Sequence, residues 1–574
     1  MTDREIYEFG EFRLDVPERR LSKATEPIPL TPKAHDVLTA LVRHAGRLVT
    51  KSDLLNTIWP DAFVEEGILA VHISTLRRAL GDAGRPPVFI ETVSRSGYRF
   101  ISPVRRVDPS TTSPSLTTLA VLPFRPLLAE WSDAALELGI ADSMITRLGT
   151  NEGLVVRPLS AVRRYATLEQ DPLSAGRELN VQFVLDGTVY RSRNALRITV
   201  RLLRVADSTS NWSQTFDRGF ADIFSIEEAV AHGVVAAIGL KPTDAAPAIA
   251  AKSQTKNSDA YLLFLRGRHL WERRGRETID KAIAYYRAAL EKDPRYALAY
   301  NGLATCYATL TLITGTPPRD AFPTAKAAIL KALEIDDGLA EAHASLAGVH
   351  FWYEWNAVAA EREFRVAARL DRGSPSVARF FAHFLSNVGR HDEALRESHR
   401  ALALDPLSAL NNARHGQFLY QAGEFDAALD QLLGTLELDN SSSMVHLNLG
   451  RVYERLGKHS EALAALRKAS GSSNGTAEAK AVLGHMLAVS GEDGEARVVL
   501  AELERDAERG CALNYNLALV SAGLRHQEDV HRHLAKALEE RETGMTFLKV
   551  EPRWRPYQDE PWFRQILAEV GLWE

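Results

Sequence analysis

Cysteine and long apolar runs are both scarce in this chain. Its 574 residues include two cysteines, Cys306 and Cys511, too few and too far apart for a disulfide framework or a cysteine-based metal site. The sequence contains no run of about 18 apolar residues, the length that a membrane-spanning helix needs. The first residues, MTDREIYEFGEF, lack the apolar core of a signal peptide. The sequence therefore predicts a cytoplasmic protein of a reducing compartment.

A large excess of one charge sign is missing as well. The formal net charge of −5 argues against general binding of polyanions, so any contact with nucleic acid must be local. Such a local excess exists, because residues 67–106 carry seven Lys and Arg against two Asp and Glu. Residues 1–66 carry nine against twelve. A solvated helix with ordinary surface arginines would give the same count, so charge alone does not decide between the two interpretations.

Signals of catalysis are also missing. No GxxxxGK[ST] or GxGxxG motif follows the strand-like run LAVLPF, so no familiar phosphate loop is present there. His526, His531 and His533 lie close together, but no cysteine or carboxylate arrangement completes a metal site around them. We therefore predict that the chain is not an enzyme, with no catalytic residue, no cofactor and no bound metal.

Residues 64–101 carry the most informative pattern. A predicted amphipathic helix ends at Gly81, and two strand-like runs, VFIETV and YRFI, flank the turn SRSG. A helix fits the major groove of DNA, and an arginine at a hairpin tip can reach the minor groove or the phosphates. The apolar positions that predict the buried side of the helix are Ile68, Val71, Ile73, Leu76 and Leu80.

Short strand-like runs in residues 6–30 and two helices precede this stretch. The first helix follows Thr31-Pro32 and the second follows Thr50. The order resembles the winged-helix DNA-binding domain of OmpR/PhoB-type response regulators over about residues 5–104. The landmarks are LTPKAHDVLTALVRHAGRLVTKSDLLNTIW, VHISTLRRAL and ETVSRSGYRF. The resemblance implies a recognition helix around 66–80 and a wing around 88–101.

The same resemblance implies which side chains contact DNA. His72 and Arg77 match positions that commonly touch DNA in this family, whereas Ser74, Thr75 and Ser94 stand where members often have arginine. At the wing tip the arginine, Arg95, is displaced by one position relative to the family. Replacing Arg77 and Arg95 by alanine is predicted to weaken binding by about 1–3 kcal/mol where either one reads a base. The candidate DNA-binding residues are His72, Ser74, Thr75, Arg77, Arg78, Ser94 and Arg95.

A second domain is predicted over residues 119–240, between linkers at 105–118 and 241–256. Alternating strand-like and helical runs predict a small α/β domain with a mixed sheet. The runs LAVLPF, GIADSMITRL, DGTVYR and LRITV to FDR resemble the TolB amino-terminal/FlgO-like domain of bacterial proteins, which assigns no chemistry. Arg157, Arg163 and Arg164 form either an anion site or an ordinary solvated cluster.

The C-terminal half is a repeat array over residues 257–544. Small residues recur every 34 positions, and a second small column follows twelve positions later. This period resembles the tetratricopeptide repeat (TPR), with about eight repeats, and residues 545–574 are expected to cap the last helix face. The first column is Gly348, Ala382, Gly416, Gly450, Gly484 and Ala518, and the second is Ala360, Ala394, Ala428, Ala462, Ala496 and Val530.

An aromatic cluster, Phe351-Trp352-Tyr353-Trp355, interrupts the array. Phe351 occupies the large-residue position of its helix and is expected to pack within its repeat. For Trp352 and Trp355 both packing and ligand binding remain open.

Together these patterns predict a multidomain α+β chain: a winged helix-turn-helix, a mixed-sheet α/β domain and an all-α TPR solenoid. The leading hypothesis is a one-component transcriptional regulator in which double-stranded DNA is bound by residues 1–104. The other modules would supply signal input, protein–protein interaction or oligomerisation. RNA polymerase and a second copy of the chain are the candidate partners. The alternative is a nucleotide- or small-ligand-responsive scaffold or enzyme whose winged helix contacts proteins.

Overall fold

The computed structural model falls into two compact units, one comprising residues 1–119 with 173–184 and 204–209, the other the remaining residues. Among the described residues, no helix is both long and apolar enough to span a membrane. The described residues are 5–16, 19–23, 26–28, 30–59, 67–82, 86–94, 96–107, 117–127, 130, 132–149, 151, 153–166, 169–192, 195–240, 255–272, 276–313, 316–471, 476–508 and 513–572.

The N-terminal domain consists of two small sheets and three helices. Strand order is β4-β3-β2-β1-β8 in one sheet and β5-β7-β6 in the other. The helices are α1 (Pro32–Arg43), α2 (Lys51–Ile58) and α3 (Gly67–Ala79). The strands are β1 (Ile6–Phe9), β2 (Phe12–Asp15), β3 (Arg20–Lys23), β4 (Glu26–Ile28), β5 (Leu48–Thr50), β6 (Ile90–Val93), β7 (Gly97–Phe100) and β8 (Arg105–Val107).

Both helix starts predicted from threonine are present. The Thr31 hydroxyl accepts a hydrogen bond from the Ala34 amide at 3.3 Å, and the Thr50 hydroxyl accepts one from the Asp53 amide at 3.1 Å. Each bond satisfies an amide that has no partner inside its helix. The helices therefore begin where the sequence indicates.

Two strands of this domain were not predicted. β5 pairs with β7, and β8 pairs with β1 inside the predicted linker 105–118. Both strands have three residues. Arg105-Arg106-Val107 shows no apolar alternation that could predict a strand, and its pairing with β1 is what stabilises it. An exposed ion pair between Arg105 and Glu8, at 2.7 Å, lies on this edge. The N-terminal fold therefore extends to Val107.

The second domain has one sheet in the order β11-β9-β12-β13-β14, with β10 parallel to β12. On β13, Leu196, Ile198, Val200 and Leu202 are all buried, so this antiparallel strand presents one face to the core. Its strands are β9 (Thr117–Val121), β10 (Arg125–Pro126), β11 (Leu154–Val156), β12 (Phe183–Arg191), β13 (Ala195–Arg204) and β14 (Ser210–Gly219). Its helices are α4 (Ala134–Gly149), α5 (Leu159–Val162), α6 (Pro172–Glu178) and α7 (Ile223–Ala237).

Helices α8 to α23 pack as consecutive pairs, each with a first and a second helix. The first helices are α8 (Ser258–Glu272), α10 (Ala297–Ile313), α12 (Ala340–Trp352), α14 (Pro375–Asn387), α16 (Ala409–Ala422), α18 (Ser443–Arg455), α20 (Ala477–Val489) and α22 (Asn514–Gly523). The second helices are α9 (Arg276–Lys292), α11 (Pro318–Ile335), α13 (Ala357–Leu370), α15 (His391–Leu404), α17 (Phe425–Leu436), α19 (His459–Gly471), α21 (Asp493–Glu508) and α23 (Gln527–Glu539).

The two small-residue columns lie where the helices of a pair meet. A Cβ added at Gly416 would lie 2.6 Å from the side chain of Leu432 in the partner helix, so only glycine permits this approach. Leu432 follows the second-column residue Ala428 by four positions, as the repeat pattern predicts. All six residues of the second column are fully buried.

The aromatic cluster of α12 is packed rather than exposed. Phe351 is buried, as predicted, and Trp352 packs edge-on against Phe364. The ring of Tyr353 stacks on Phe322 at 5.1 Å. Packing therefore accounts for Trp352, whereas Trp355 lies near Arg541 of the C-terminal segment.

The chain after α23 does more than cap the last repeat. Helix α24 (Pro561–Glu569) contacts α23, the second helix of the last pair. Before it, two 3₁₀ turns, Thr543–Phe547 and Pro552–Tyr557, lie against the first helices of earlier repeats. The sequence did not indicate this contact, because the segment lies outside the 34-residue period.

Candidate DNA-binding surface

Helix α3 separates a buried face from an exposed stripe. Leu69, Ile73 and Leu76 are buried in the domain core. The predicted set omitted Leu69 and included Ile68 and Val71, which are half-buried, because the true contact face is rotated toward Leu69. The exposed residues recur every three or four positions and thus follow one side of the helix: Gly67, Ala70, Ser74 and Arg78.

His72 lies on the inner side of α3. It is 3 % exposed, and its ring centroid lies 5.5 Å from that of Trp59 beyond α2. In this conformation the imidazole is covered by the domain itself. His72 therefore positions α3 against α2, and the structure does not place it beside the exposed stripe.

Arg77 joins α3 to the first strand of the wing. Its Nη2 donates to the carbonyl oxygen of Ile90 at 2.8 Å and to the hydroxyl of Thr92 at 2.7 Å. The guanidinium is half-buried and its donors are directed into the domain. Arg78, the next residue, is exposed.

Asp82 forms a second connection that the sequence did not reveal. Its side chain is buried and accepts hydrogen bonds from the amides of Val88, Phe89 and Ile90, at 2.5, 3.0 and 2.7 Å. Three amide donors are a strong environment for one carboxylate. Asp82 follows the stop at Gly81, and an aspartate after a helix is so common in turns that it carried no distinct signal.

The wing is the hairpin of β6 and β7. A Cβ on Gly97 would collide with the carbonyl oxygen of Val49, so β5 and β7 can pair only with glycine at this position. Ser94 at the turn is exposed, whereas Arg95 lies outside the described residues. On the strands, Arg99 pairs with Glu91 at 3.1 Å.

The remaining candidates lie on the outer half of α3. Ser74 is exposed, and Thr75 is half-buried with its hydroxyl donating to the carbonyl oxygen of Val71 at 3.0 Å. The structure thus brings Ser74 and Arg78 together on the stripe with Thr75 at its edge, and Arg77 ties this helix to the wing. Such a surface offers hydroxyl groups and a guanidinium to a groove.

The histidines and arginines singled out in the sequence are the candidates for a metal or anion site. In the part of the chain that the structure describes, no group of three His, Cys, Asp or Glu side chains could hold a metal ion. His531 stacks on Trp562 with ring centroids 4.7 Å apart, and His533 is buried in α23. Burial raises the pKa of Asp405, opposed by the hydrogen bond from Ser160 and by the positive charge of Arg157.

Family models match three parts of the chain. "Transcriptional regulatory protein, C terminal" matches residues 25–100, and "HilA/YgeH-like transcriptional regulator, second domain" matches residues 115–227. A tetratricopeptide repeat model matches residues 445–474. The resemblance of the second domain to TolB amino-terminal domains stays a prediction.

Relatives match over different lengths. The transcriptional regulator HilA of Salmonella paratyphi A is 25% identical over 404 residues, 70% of this chain and 71% of HilA. The putative adenylate cyclase 3 of Rhizobium meliloti is 28% identical over 230 residues, 40% of this chain and 38% of that protein. The phosphate regulon regulatory protein PhoB of Escherichia coli K12 is 32% identical over 101 residues, 17% of this chain and 44% of PhoB.

The fold and these matches define a DNA-binding protein that regulates transcription. Its N-terminal domain is a winged helix of the OmpR/PhoB type, followed by a HilA-like regulator domain and a TPR array. The predicted fold class is confirmed, and so is the predicted regulation of transcription by DNA binding. The alternative of a ligand-responsive scaffold whose winged helix contacts proteins has no support.

Proposed function

We propose that the chain is a one-component regulator that reads DNA with α3 and the wing and receives its signal through the other modules. The observation that carries this is the exposed stripe of α3, held to the wing by Arg77 and Asp82. Because helix and wing are fixed to each other, both can engage DNA as one rigid surface, which reduces the entropy lost on binding.

Within this surface we propose different roles for the candidate residues. Ser74, Thr75 and Arg78 contact the major groove, and Ser94 and Arg95 contact the backbone or the minor groove. His72 and Arg77 act from inside the domain by fixing α3, unless Arg77 exchanges its bonds to Ile90 and Thr92 for a base. Few charged groups then read bases, so specificity rests on a small number of contacts.

The modules after residue 107 act as protein-binding and signal-receiving parts rather than as an enzyme. The HilA-like match and the repeat match support this role. The protein partner is proposed to be RNA polymerase or a second copy of the chain. Since the target is chromosomal DNA, the protein would work in the cytoplasm.

The experiment is a map of genomic DNA bound by the intact protein, followed by mobility shifts on the sites found. Arg78→Ala should lower specific affinity by about 1–3 kcal/mol if the residue reads a base, and uniformly on all sequences if it contacts a phosphate. Arg20→Ala, which removes an exposed arginine from β3, is the matched control and should bind normally.

Failure to enrich any DNA sequence with the intact protein would overturn the proposal. Equal affinities of Arg78→Ala and Arg20→Ala would remove the α3 stripe from the binding surface. The spacing of half-sites in the enriched DNA reports whether two copies bind together, because tandem or inverted sites reflect the symmetry of the bound protein.

A further inference from the structure

The chain turns back on its own repeats after the last helix pair. Residues 541–557, called the return segment, begin where Arg541 donates to the carbonyl oxygen of Tyr353 at 3.1 Å. The Arg541 guanidinium also lies 5.0 Å from the ring of Trp355. Further along, the hydrogen-bonded pairs are Thr546 with Asn387, Glu551 with Tyr420, Arg553 with Glu454 and Trp554 with Tyr515. One short segment therefore contacts first helices of five repeats.

The return segment covers the surface along which consecutive first helices meet. Helices α12, α14, α16, α18, α20 and α22 contact one another from repeat to repeat. In a curved array, the helices that approach their neighbours most closely form the concave side, and that side is the usual binding surface of repeat proteins. The segment thus occupies the place that a bound peptide would take.

This surface carries polar residues at repeated positions. Counted from the small residue of a first helix, the first, fourth and fifth positions are polar in the middle repeats, whereas a packed core would be apolar there. Buried polar groups need partners, and the return segment supplies several of them. In three successive repeats these positions are His383, Ser386 and Asn387, then Gln417, Tyr420 and Gln421, then Arg451, Glu454 and Arg455; in the next repeat only the first, His485, is polar.

Arg553 is a buried charged contact of the segment. Its side chain is 1 % exposed and pairs with Glu454 of α18 and, at 3.1 Å, with Glu551 of its own segment. Burial alone would raise the pKa of Glu454, but Arg553 and His485 outweigh it and hold that pKa well below its usual range. The carboxylate is therefore ionised and dependent on the arginine.

We propose that the return segment is an internal ligand of the array and that a protein partner reaches the concave surface only by displacing it. This deepens the proposed function, since it rests on a partner binding the repeats. The partner must replace the side chains that leave with the segment. It must supply an arginine to pair with Glu454 and a flat aromatic ring in the place of Trp554. The Trp554 indole donates to the Tyr515 hydroxyl at 3.0 Å. The binding segment of the partner is therefore basic and aromatic.

The test begins with native-state hydrogen exchange on the full chain. If the segment dissociates while the repeats stay folded, the amides of Met545, Leu548 and Trp554 exchange much faster than the amides of α18 and α22. Equal protection of the segment and of both helices overturns the proposal, because the segment then leaves only when the array unfolds.

A reversible disulfide crosslink, called the lock, tests whether the return segment moves away from the array. Asn387 and Thr546 are hydrogen-bonded, Nδ2 to Oγ1 at 3.4 Å, so Asn387→Cys with Thr546→Cys is the pair chosen to crosslink array and segment. Formation of the disulfide after oxidation is verified by mass before exchange is measured. Oxidation should slow exchange in the segment and reduction should restore it. The matched control is Asn387→Ser with Thr546→Ser, which cannot crosslink and should not respond to oxidant.

The same lock tests displacement with a defined probe. A labelled synthetic peptide of residues 541–560 should bind the reduced protein and not the oxidised one, whereas a peptide carrying Arg553→Ala and Trp554→Ala should bind neither. Equal binding to both forms overturns the proposal, because the peptide would then bind elsewhere. Failure of the return-segment proposal would leave the map of bound genomic DNA unchanged. Failure of the DNA-binding proposal would leave the hydrogen-exchange data unchanged, so the two failures can be told apart.

Discussion

Arg77 and Arg78 are neighbours in sequence with opposite surroundings. Arg77 donates to Ile90 and Thr92 inside the domain, whereas Arg78 extends from the exposed stripe of α3. A family resemblance transfers a position, but not the bonds that a side chain makes when DNA is absent. At the scale of single residues, position on a helix face is the property that the sequence predicted least well.

Arg77→Ala should destabilise the wing. The substitution removes hydrogen bonds from a charged donor, so we expect a loss of about 1–2 kcal/mol in local stability. Hydrogen exchange of residues 88–100 in the full chain measures it. Arg78→Ala is the control and should leave this exchange unchanged, since its side chain is exposed. Unchanged exchange in Arg77→Ala would show that Asp82 alone holds the wing.

His35 on α1 makes the N-terminal domain sensitive to acid. Burial, with a smaller effect from Arg19, lowers the pKa of His35 from 6.5 to about 4. Because the folded pKa lies below the unfolded one, this contribution to stability is complete above pH 6.5 and is lost as pH falls toward 4. We expect a loss of about 3 kcal/mol over that window, measured as the free energy of unfolding against pH.

His35→Gln should remove most of that slope, because glutamine does not titrate. His44→Gln is the control, since His44 is exposed at the end of the same helix and its change should leave the slope intact. A slope that persists in His35→Gln would assign the acid sensitivity to other groups.

At the scale of elements, the strength of the local signal decided what could be predicted. Threonine caps and apolar periodicity predicted α1, α2 and α3, and the 34-residue period predicted the helix pairs. Strands β5, β8 and β10 have two or three residues each, too few to show an alternation. They exist because a partner strand pairs with them, and pairing over long sequence distances leaves no local trace.

Asp82 shows how one residue positions an element. Asp82→Asn replaces one acceptor oxygen by an amide donor that faces the amides of Val88, Phe89 and Ile90. We expect a loss of about 1–3 kcal/mol, faster hydrogen exchange at 88–93 and weaker DNA binding. Glu91→Gln removes a half-exposed ion pair of the same strand and is the control. Equal exchange in both variants would contradict the role of Asp82.

At the scale of the whole molecule, the second domain and the first repeat share a buried polar cluster. Glu227 of α7 accepts hydrogen bonds from Ser143 of α4 at 2.7 Å and from Tyr261 of α8 at 2.9 Å. Burial raises the pKa of Glu227, opposed by Arg147, Ser143 and Tyr261. Ion pairs between Arg266 and Asp133 and between Arg268 and Asp142 also connect the second domain to α8. We call this set of contacts the joint.

Neither this joint nor the return segment could be predicted from the sequence. Both depend on single polar residues that meet across long stretches of chain, and no period or motif marks them. The repeats predicted the array, but not what lies against it. Glu227 is a residue through which the second domain contacts the first repeat, and composition and spacing did not indicate it.

Tyr261→Phe should uncouple these two modules. The variant keeps the ring that packs against Phe224 but leaves the buried Glu227 without one of its donors, at a cost of about 1–3 kcal/mol. Hydrogen exchange should accelerate together in α4, α7 and α8 and stay unchanged in α16. Tyr300→Phe in α10, whose hydroxyl is not part of the cluster, is the control. Faster exchange in α8 alone would show that the second domain and the array respond independently, and signal transfer by this route would then be excluded.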